Sequence, residues 1–169
     1  MNRIIIMSDT HGNQQMLRRV LSNENYTHIF HLGDNYNDLD DNFDLTEGKD
    51  LLRVPGLYHQ GYNDKSLPAI QTYSLDGWNF NLIHDIGSLK KLKKNSIYLH
   101  GHTHNVEFFE KDKNVFTINP GHLKSQIDRG QRPSYIVAEV DENSVKFDFK
   151  ELSGKIIGTK IINKNINIE

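Results

Sequence analysis

Residues 3–11 read Arg3-Ile4-Ile5-Ile6-Met7-Ser8-Asp9-Thr10-His11. The apolar run, with three β-branched side chains, suits a strand buried on both faces, as in a parallel sheet. Ser8-Asp9 ends it in a polar turn. Met16, Leu17, Val20 and Leu21 then share one helical stripe, and Asn13 precedes them as a candidate N-cap. Tyr26–Leu32 reads as a second strand that runs into Gly33-Asp34. Strand, helix, strand is the pattern of a right-handed crossover between parallel strands.

Further along, Asn35–Lys49 is acidic and reads as a loop with at most one helical turn, and Leu51–Val54 as a third strand stopped by Pro55-Gly56. Residues 57–68 read as an irregular loop. The pattern then changes to hairpins. Ala69–Leu75 and Trp78–Ile83 flank Asp76-Gly77, Val106–Glu110 and Val115–Ile118 flank Lys111–Asn114, and Tyr135–Val140 and Val145–Phe149 flank Asp141–Ser144. Gly87–Lys94 reads as a short basic helix and Ile97–His100 as another strand. Lys155–Glu169 alternates Ile with polar residues, as a half-exposed strand or pair does. No repeat or linker divides the chain. The expected fold class is α/β (α+β): one domain spanning 1–169, a two-sheet β-sandwich with helices outside.

Composition narrows the function. At 169 residues the chain buries a core without disulfides, and its 36% hydrophobic share marks a polar but not a disordered domain. The net charge of −2 gives no basic nucleic-acid footprint. Lys90, Lys91, Lys93 and Lys94 cluster without interleaved aromatics, which fits a solvated face. No apolar run approaches the ~20 residues of a membrane span. The apolar start breaks at Ser8-Asp9, so no secretory leader is read and a cytoplasmic protein is expected. The absence of cysteine excludes a disulfide scaffold, a thiolate zinc site and a Cys nucleophile. Exposed hairpin edges permit a homodimer.

Nine histidines remain to be explained. Asp9-Thr10-His11, Gly33-Asp34-Asn35, His84-Asp85 and Gly101-His102-Thr103-His104 each place metal-type ligands directly after a predicted strand. Strands deliver such residues to a common rim of the sheet. Asp9/His11 and His102/His104 are spaced i, i+2, which in extended backbone puts both side chains on one face. Carboxylate and imidazole without thiolate suit Mn²⁺, Fe²⁺, Ni²⁺ or Zn²⁺. His28, His31 and His100 lie within or at the ends of strands and read as structural. Asn119-Pro120-Gly121 is a fifth conspicuous segment, and His122 after it fits either the site or the surface.

The ordered set Asp-x-His, Gly-Asp, His, Gly-His-x-His resembles the calcineurin-like metallophosphoesterases. The chain's size and its Gly-His-Thr-His then Asn-Pro-Gly order resemble their small bacterial and archaeal phosphodiesterase branch. The resemblance covers roughly residues 3 to 140. It implies that family's four-layer architecture and two divalent ions. It puts Asp9, His11 and His104 on the first ion, makes Asp34 the bridge, and puts His84 and His102 on the second. Two aspartates and two divalent ions give a site of about +2, which attracts phosphate. Such a pair clamps the attacking and leaving oxygens and supplies hydroxide at neutral pH. The implied reaction is hydrolysis of a phosphate ester, more specifically a phosphodiester, small or nucleotide-like.

One motif departs from the family. Where it has Gly-Asn followed by an acid/base residue, this chain reads Val54-Pro55-Gly56-Leu57-Tyr58-His59. Leu57 cannot coordinate an ion. Asn63 and Asp64 are candidate replacements, and His59 is a candidate ligand or catalytic acid. The first ion is expected to bind firmly and the second to need added metal. The loss also fits an alternative, a catalytically impaired metal-binding scaffold for protein contacts, as in the retromer subunit that resembles this family.

Overall fold

The computed structural model describes residues 1–164. Its strands are β1 (Asn2–Met7), β2 (His28–His31), β3 (Asp50–Arg53), β4 (Ile70–Leu75), β5 (Trp78–Ile83), β6 (Ser96–Leu99), β7 (Val106–Asp112), β8 (Val115–Pro120), β9 (Ser134–Val140), β10 (Ser144–Glu151) and β11 (Ile156–Asn163). They form two sheets, ordered β11-β10-β9-β1-β2-β3 and β4-β5-β6-β8-β7. β1, β2 and β3 are parallel, as are β5, β6 and β8.

The isoleucine run does what its pattern predicts. Ile4 and Ile6 face the second sheet and join Phe30, Phe80, Leu99 and Ile118 in the core between the sheets. Ile5 and Met7 face the other way and pack with Ile29, Val137 and the stripe Met16, Leu17, Val20 and Leu21. That stripe belongs to α1 (Gln14–Asn23), and the Asn13 side chain accepts the Met16 N–H at 3.1 Å as its cap. Each such buried aliphatic side chain contributes about 1.5–3 kcal/mol.

Asn35–Lys49 is more ordered than its composition suggests. Tyr36–Asn42 is a 3-10 helix and leads into α2 (Phe43–Thr46). Leu39 is buried and Leu45 packs beside α1, while Arg18 of α1 donates to Asn42 and Asp44. Tertiary contacts thus order a segment that has little helix propensity. Residues 57–68 contain one helical turn, α3 (Gln60–Asn63).

Gly87–Lys94 is not a helix. A 3-10 turn at Ile86–Ser88 is capped by the Asp85 carboxylate on Gly87 N–H, and irregular chain follows. The lysines at three- and four-residue spacing repel one another in a helix and have no acidic partner there. α1 and the Tyr36–Thr46 helices pack on the outer face of the first sheet. The C-terminal alternating stretch is one strand, β11, paired with β10, and its last five positions, 165–169, lie outside the described residues.

Candidate metal centre

The carboxyl ends of the parallel strands in both sheets meet at one rim. Asp9 and His11 follow β1, Asp34 follows β2, His84 follows β5, and His102 and His104 follow β6. Main-chain bonds tie the ends together. Asp9 N–H donates to Gly33 O at 2.9 Å and Gly101 N–H to His84 O at 3.0 Å.

The i, i+2 pairs do not converge through extended backbone, as the spacing suggested. Asp9, His11, Asp34, His102 and His104 all adopt left-handed conformations, with φ from 46° to 67°. Such non-glycine residues cost about 1–3 kcal/mol each and cluster where function demands them. The chain kinks at each ligand and turns its side chain inward. His102 and His104 consequently part company. His104 Nε2 lies 3.1 Å from Asp9 Oδ1, whereas the His102 ring sits 5.3 Å from the His84 ring.

Two groups of ligand atoms result, each within 4.8 Å of one another: Asp9, His11 and His104, and Asp9, Asp34 and His84. Asp34 Oδ2 stands between them, 3.5 Å from His11 Nε2 and 3.4 Å from His84 Nε2. Asp9 Oδ1 is 3.8 Å from His11 Nε2 and 4.0 Å from His84 Nε2. Both carboxylates thus face both groups.

The histidines are held in the tautomer that coordination requires. His84 Nδ1 donates to Leu32 O at 2.8 Å, so its neutral ring turns a bare Nε2 toward the carboxylates. His104 Nδ1 donates to the Asp128 carboxylate and likewise turns Nε2 toward Asp9. The buried Nε2 atoms of His11 and His84 have no hydrogen-bond partner. Lone pairs aimed at two buried carboxylates need positive charge between them, and a divalent cation fits this donor set.

The electrostatics agree. Burial pushes the Asp9 carboxyl up, but the His104, His11 and His84 rings around it and the hydrogen bond from Ser8 outweigh it and hold it far below the usual range. Burial likewise opposes ionisation of Asp34, and His84 outweighs it. The carboxylates in turn raise His84 and His104 above the ordinary imidazole value against the cost of burial.

Of the six residues expected to hold metal, five thus meet in these two groups, and His102 lies beside the second. His102 is half-buried, and its N–H donates to Asp9 Oδ2 at 3.0 Å. Asn63 is exposed in α3 and is not among the residues lining the cleft beside Asp34, and Asp64 is exposed as well. His59 does line that cleft, together with Tyr58 and Asn37. Its Nδ1 accepts Gly61 N–H at 3.0 Å, so Nε2 carries the proton and donates to Asn37 Oδ1 at 3.0 Å. A ring held this way presents its Nε2–H as a hydrogen-bond donor at the edge of the cleft. His122 is fully buried, with its ring 5.3 Å from that of His104, so it has no surface role. His31 is structural, its Nδ1 accepting Gly33 N–H.

Several supporting residues were missed in the sequence. Asp128 orients His104 and is itself held by Lys124 Nζ at 2.9 Å; no motif announces it. Ser8 Oγ donates to Asp9 Oδ2 at 2.5 Å. Asn119 Nδ2 donates to Gly101 O and Thr103 Oγ1, which locks the turn carrying His102 and His104. Gly56 and Gly101 are spacers: a Cβ at Gly56 would lie 1.8 Å from Asp34 Oδ1, and one at Gly101 2.5 Å from Asp9 Oδ2.

Comparison with known proteins places this geometry. A probable metallophosphoesterase of Mycoplasma pneumoniae is 25% identical over 149 residues, covering 80% of this chain and 87% of its own. A conserved Streptococcus pneumoniae protein described as a predicted phosphoesterase superposes with a TM-score of 0.72 at 24% identity, over 96% of this chain and 98% of its own. Vacuolar protein sorting 29 of Cryptosporidium parvum shares the fold, with a TM-score of 0.71 at 16% identity over 96% and 98% of the two chains. The calcineurin-like phosphoesterase superfamily domain model matches residues 2–143, the span that contains every ligand described above. With its paired carboxylates and imidazoles at the strand ends, the chain belongs to the calcineurin-like phosphoesterase superfamily.

Proposed function

We propose that this protein is a metal-dependent phosphoesterase that hydrolyses small phosphodiesters at a dinuclear centre of Mn²⁺, Fe²⁺, Ni²⁺ or Zn²⁺. One observation carries the reading: Leu32 O and Asp128 fix His84 and His104 with bare Nε2 atoms aimed at Asp9 and Asp34. When bound, divalent ions supply Lewis acidity to a phosphoryl oxygen and lower the pKa of water. The chain's residues do the rest. Asp9 and Asp34 fix the spacing of the two positions. Ser8 and the His102 N–H hold Asp9 Oδ2, which leaves Oδ1 to face the histidines. His59 Nε2–H, released by Asn37, is placed to donate a hydrogen bond to the leaving oxygen. No protein hydroxyl is needed as nucleophile. Because Leu57 stands where an amide ligand is expected, the second ion binds more weakly than the first.

The test is hydrolysis of bis(para-nitrophenyl) phosphate with added Mn²⁺ or Ni²⁺. Asp34→Ala and His102→Ala each abolish it, and chelation abolishes it reversibly. Unchanged turnover in both variants overturns the site. The scaffold reading draws on Leu57 and on the fold shared with vacuolar protein sorting 29. It is favoured instead if the wild type holds metal, turns over no ester and binds a partner protein.

A further inference from the structure

Tyr58 is 87% exposed, while Tyr26, Tyr36, Tyr98 and Tyr135 are buried and Tyr62 and Tyr73 half-buried. Its position is not arbitrary. It stands two residues beyond Gly56, the spacer against Asp34, and lines the same cleft of about 200 Å³ as His11 and Asp34. Next to it His59 lines the cleft, backed by flat groups that do not line it themselves. His59 stacks on Tyr36 with ring centroids 5.2 Å apart and planes 18° apart, and the Arg53 guanidinium lies 4.5 Å over the Tyr36 ring. Asn35, exposed at the same cleft in a left-handed conformation, has a side-chain amide that makes no protein hydrogen bond among the described residues. Flat faces next to a free amide, beside a phosphate-attracting centre, match a planar heterocycle with polar edges. They do not match an acyl chain, which needs an apolar channel.

We propose that the lip formed by Tyr58 and His59 receives a nucleobase, so that the ester hydrolysed is a nucleotide phosphodiester. The base stacks on Tyr58 and presents an edge to Asn35, with its phosphate over Asp9 and Asp34. This rests on the phosphodiesterase reading for the reaction, although base binding is measurable apart from it. Stacking of one base on one aromatic ring amounts to about 5- to 100-fold in affinity.

The experiment is titration of the Mn²⁺-loaded protein with adenosine monophosphate and with ribose phosphate, which lacks the base. Wild type is expected to bind adenosine monophosphate at least about 5-fold more tightly. Tyr58→Leu removes that preference without weakening ribose phosphate, and Tyr58→Phe keeps it. Equal affinities in wild type, or a preference that survives in Tyr58→Leu, overturn the proposal. If bis(para-nitrophenyl) phosphate is hydrolysed but the base preference is absent, the reaction stands and the nucleobase site falls. If the preference is present without hydrolysis, the nucleobase site stands and the reaction falls.

Discussion

Gly56→Ala tests the packing around Asp34 without touching a ligand. A Cβ at this position would lie 1.8 Å from Asp34 Oδ1, 2.6 Å from Asp34 N and 2.8 Å from Asp34 Cγ. Real Cβ contacts do not fall below 3.0 Å, so the oxygen must retreat by at least about 1.2 Å. Rotating the carboxylate does not relieve the backbone contact, so the segment must move too. Metal–ligand distances tolerate only about ±0.2 Å. A carboxylate displaced this far no longer stands between His11 and His84. Metal affinity should fall about 10- to 100-fold and kcat/KM about 100-fold. The fold should survive, because overpacking costs about 1–3 kcal/mol against a total of about 5–15 kcal/mol. Gly158→Ala is the control, since no atom lies within 4 Å of its Cβ. Metal titration and bis(para-nitrophenyl) phosphate turnover, with circular dichroism to verify folding, provide the assay. A folded Gly56→Ala protein with wild-type metal affinity and turnover refutes the placement of Asp34.

Asp128→Asn should weaken the ion held by His104 about 10- to 100-fold with little change in melting temperature, as metal titration and thermal melting will show. Apparent metal affinity should rise with pH through a range starting above 6.5, because Asp9 and Asp34 raise His84 and His104 and a bound ion displaces their protons; calorimetric titration at several pH values measures it. Burial lowers His31 from 6.5 to about 3, so the unfolded chain binds its proton first as pH falls. The stability His31 contributes is complete above about pH 6.5 and is lost at up to about 1.4 kcal/mol per pH unit towards pH 3. Urea unfolding of metal-free protein at pH 7 and 4.5 should therefore show a smaller loss in His31→Gln than in wild type.

Residues that carry both pattern and chemistry were legible in the sequence. Ile4 to Met7 announced a strand buried on both faces, and Asp9, His11, Asp34, His84, His102 and His104 announced themselves as polar groups directly after apolar runs. Asn13 marked its cap by type and position. Features set by tertiary approach were not legible. Asp128 is one acid among many until His104 Nδ1 is seen to need a partner, and the Leu32 carbonyl has no sequence signature at all. Gly56 and Gly101 looked like turn residues, yet their function is to have no Cβ beside Asp34, Ser8 and Asp9. The short basic helix expected at Gly87–Lys94 gives way to lysine repulsion and the Asp85 cap.

The left-handed ligands and the inward lone pairs point to one energetic arrangement. Five ligand residues take φ values that L side chains avoid, and two nearly fully buried carboxylates face unpaired imidazole nitrogens. Neither feature favours folding. Both persist because the rim is fixed from outside: the Ile4–Met7 core sets β1, the Gly33 and His84 carbonyls clamp the neighbouring turns, and Asn119 locks the turn that carries His102 and His104. The sandwich thus fixes these ligand atoms from outside the rim. A site fixed in this way loses less of a cation's binding energy to ordering its loops. Beyond the rim, the segment after Gly56 places Leu57, Tyr58 and His59 in turn, and the His59 ring stacks on the buried Tyr36. The ligand rim and the His59–Tyr36 stack are thus set by separate parts of the chain, the first by strand ends and the second by the turns after β2 and β3.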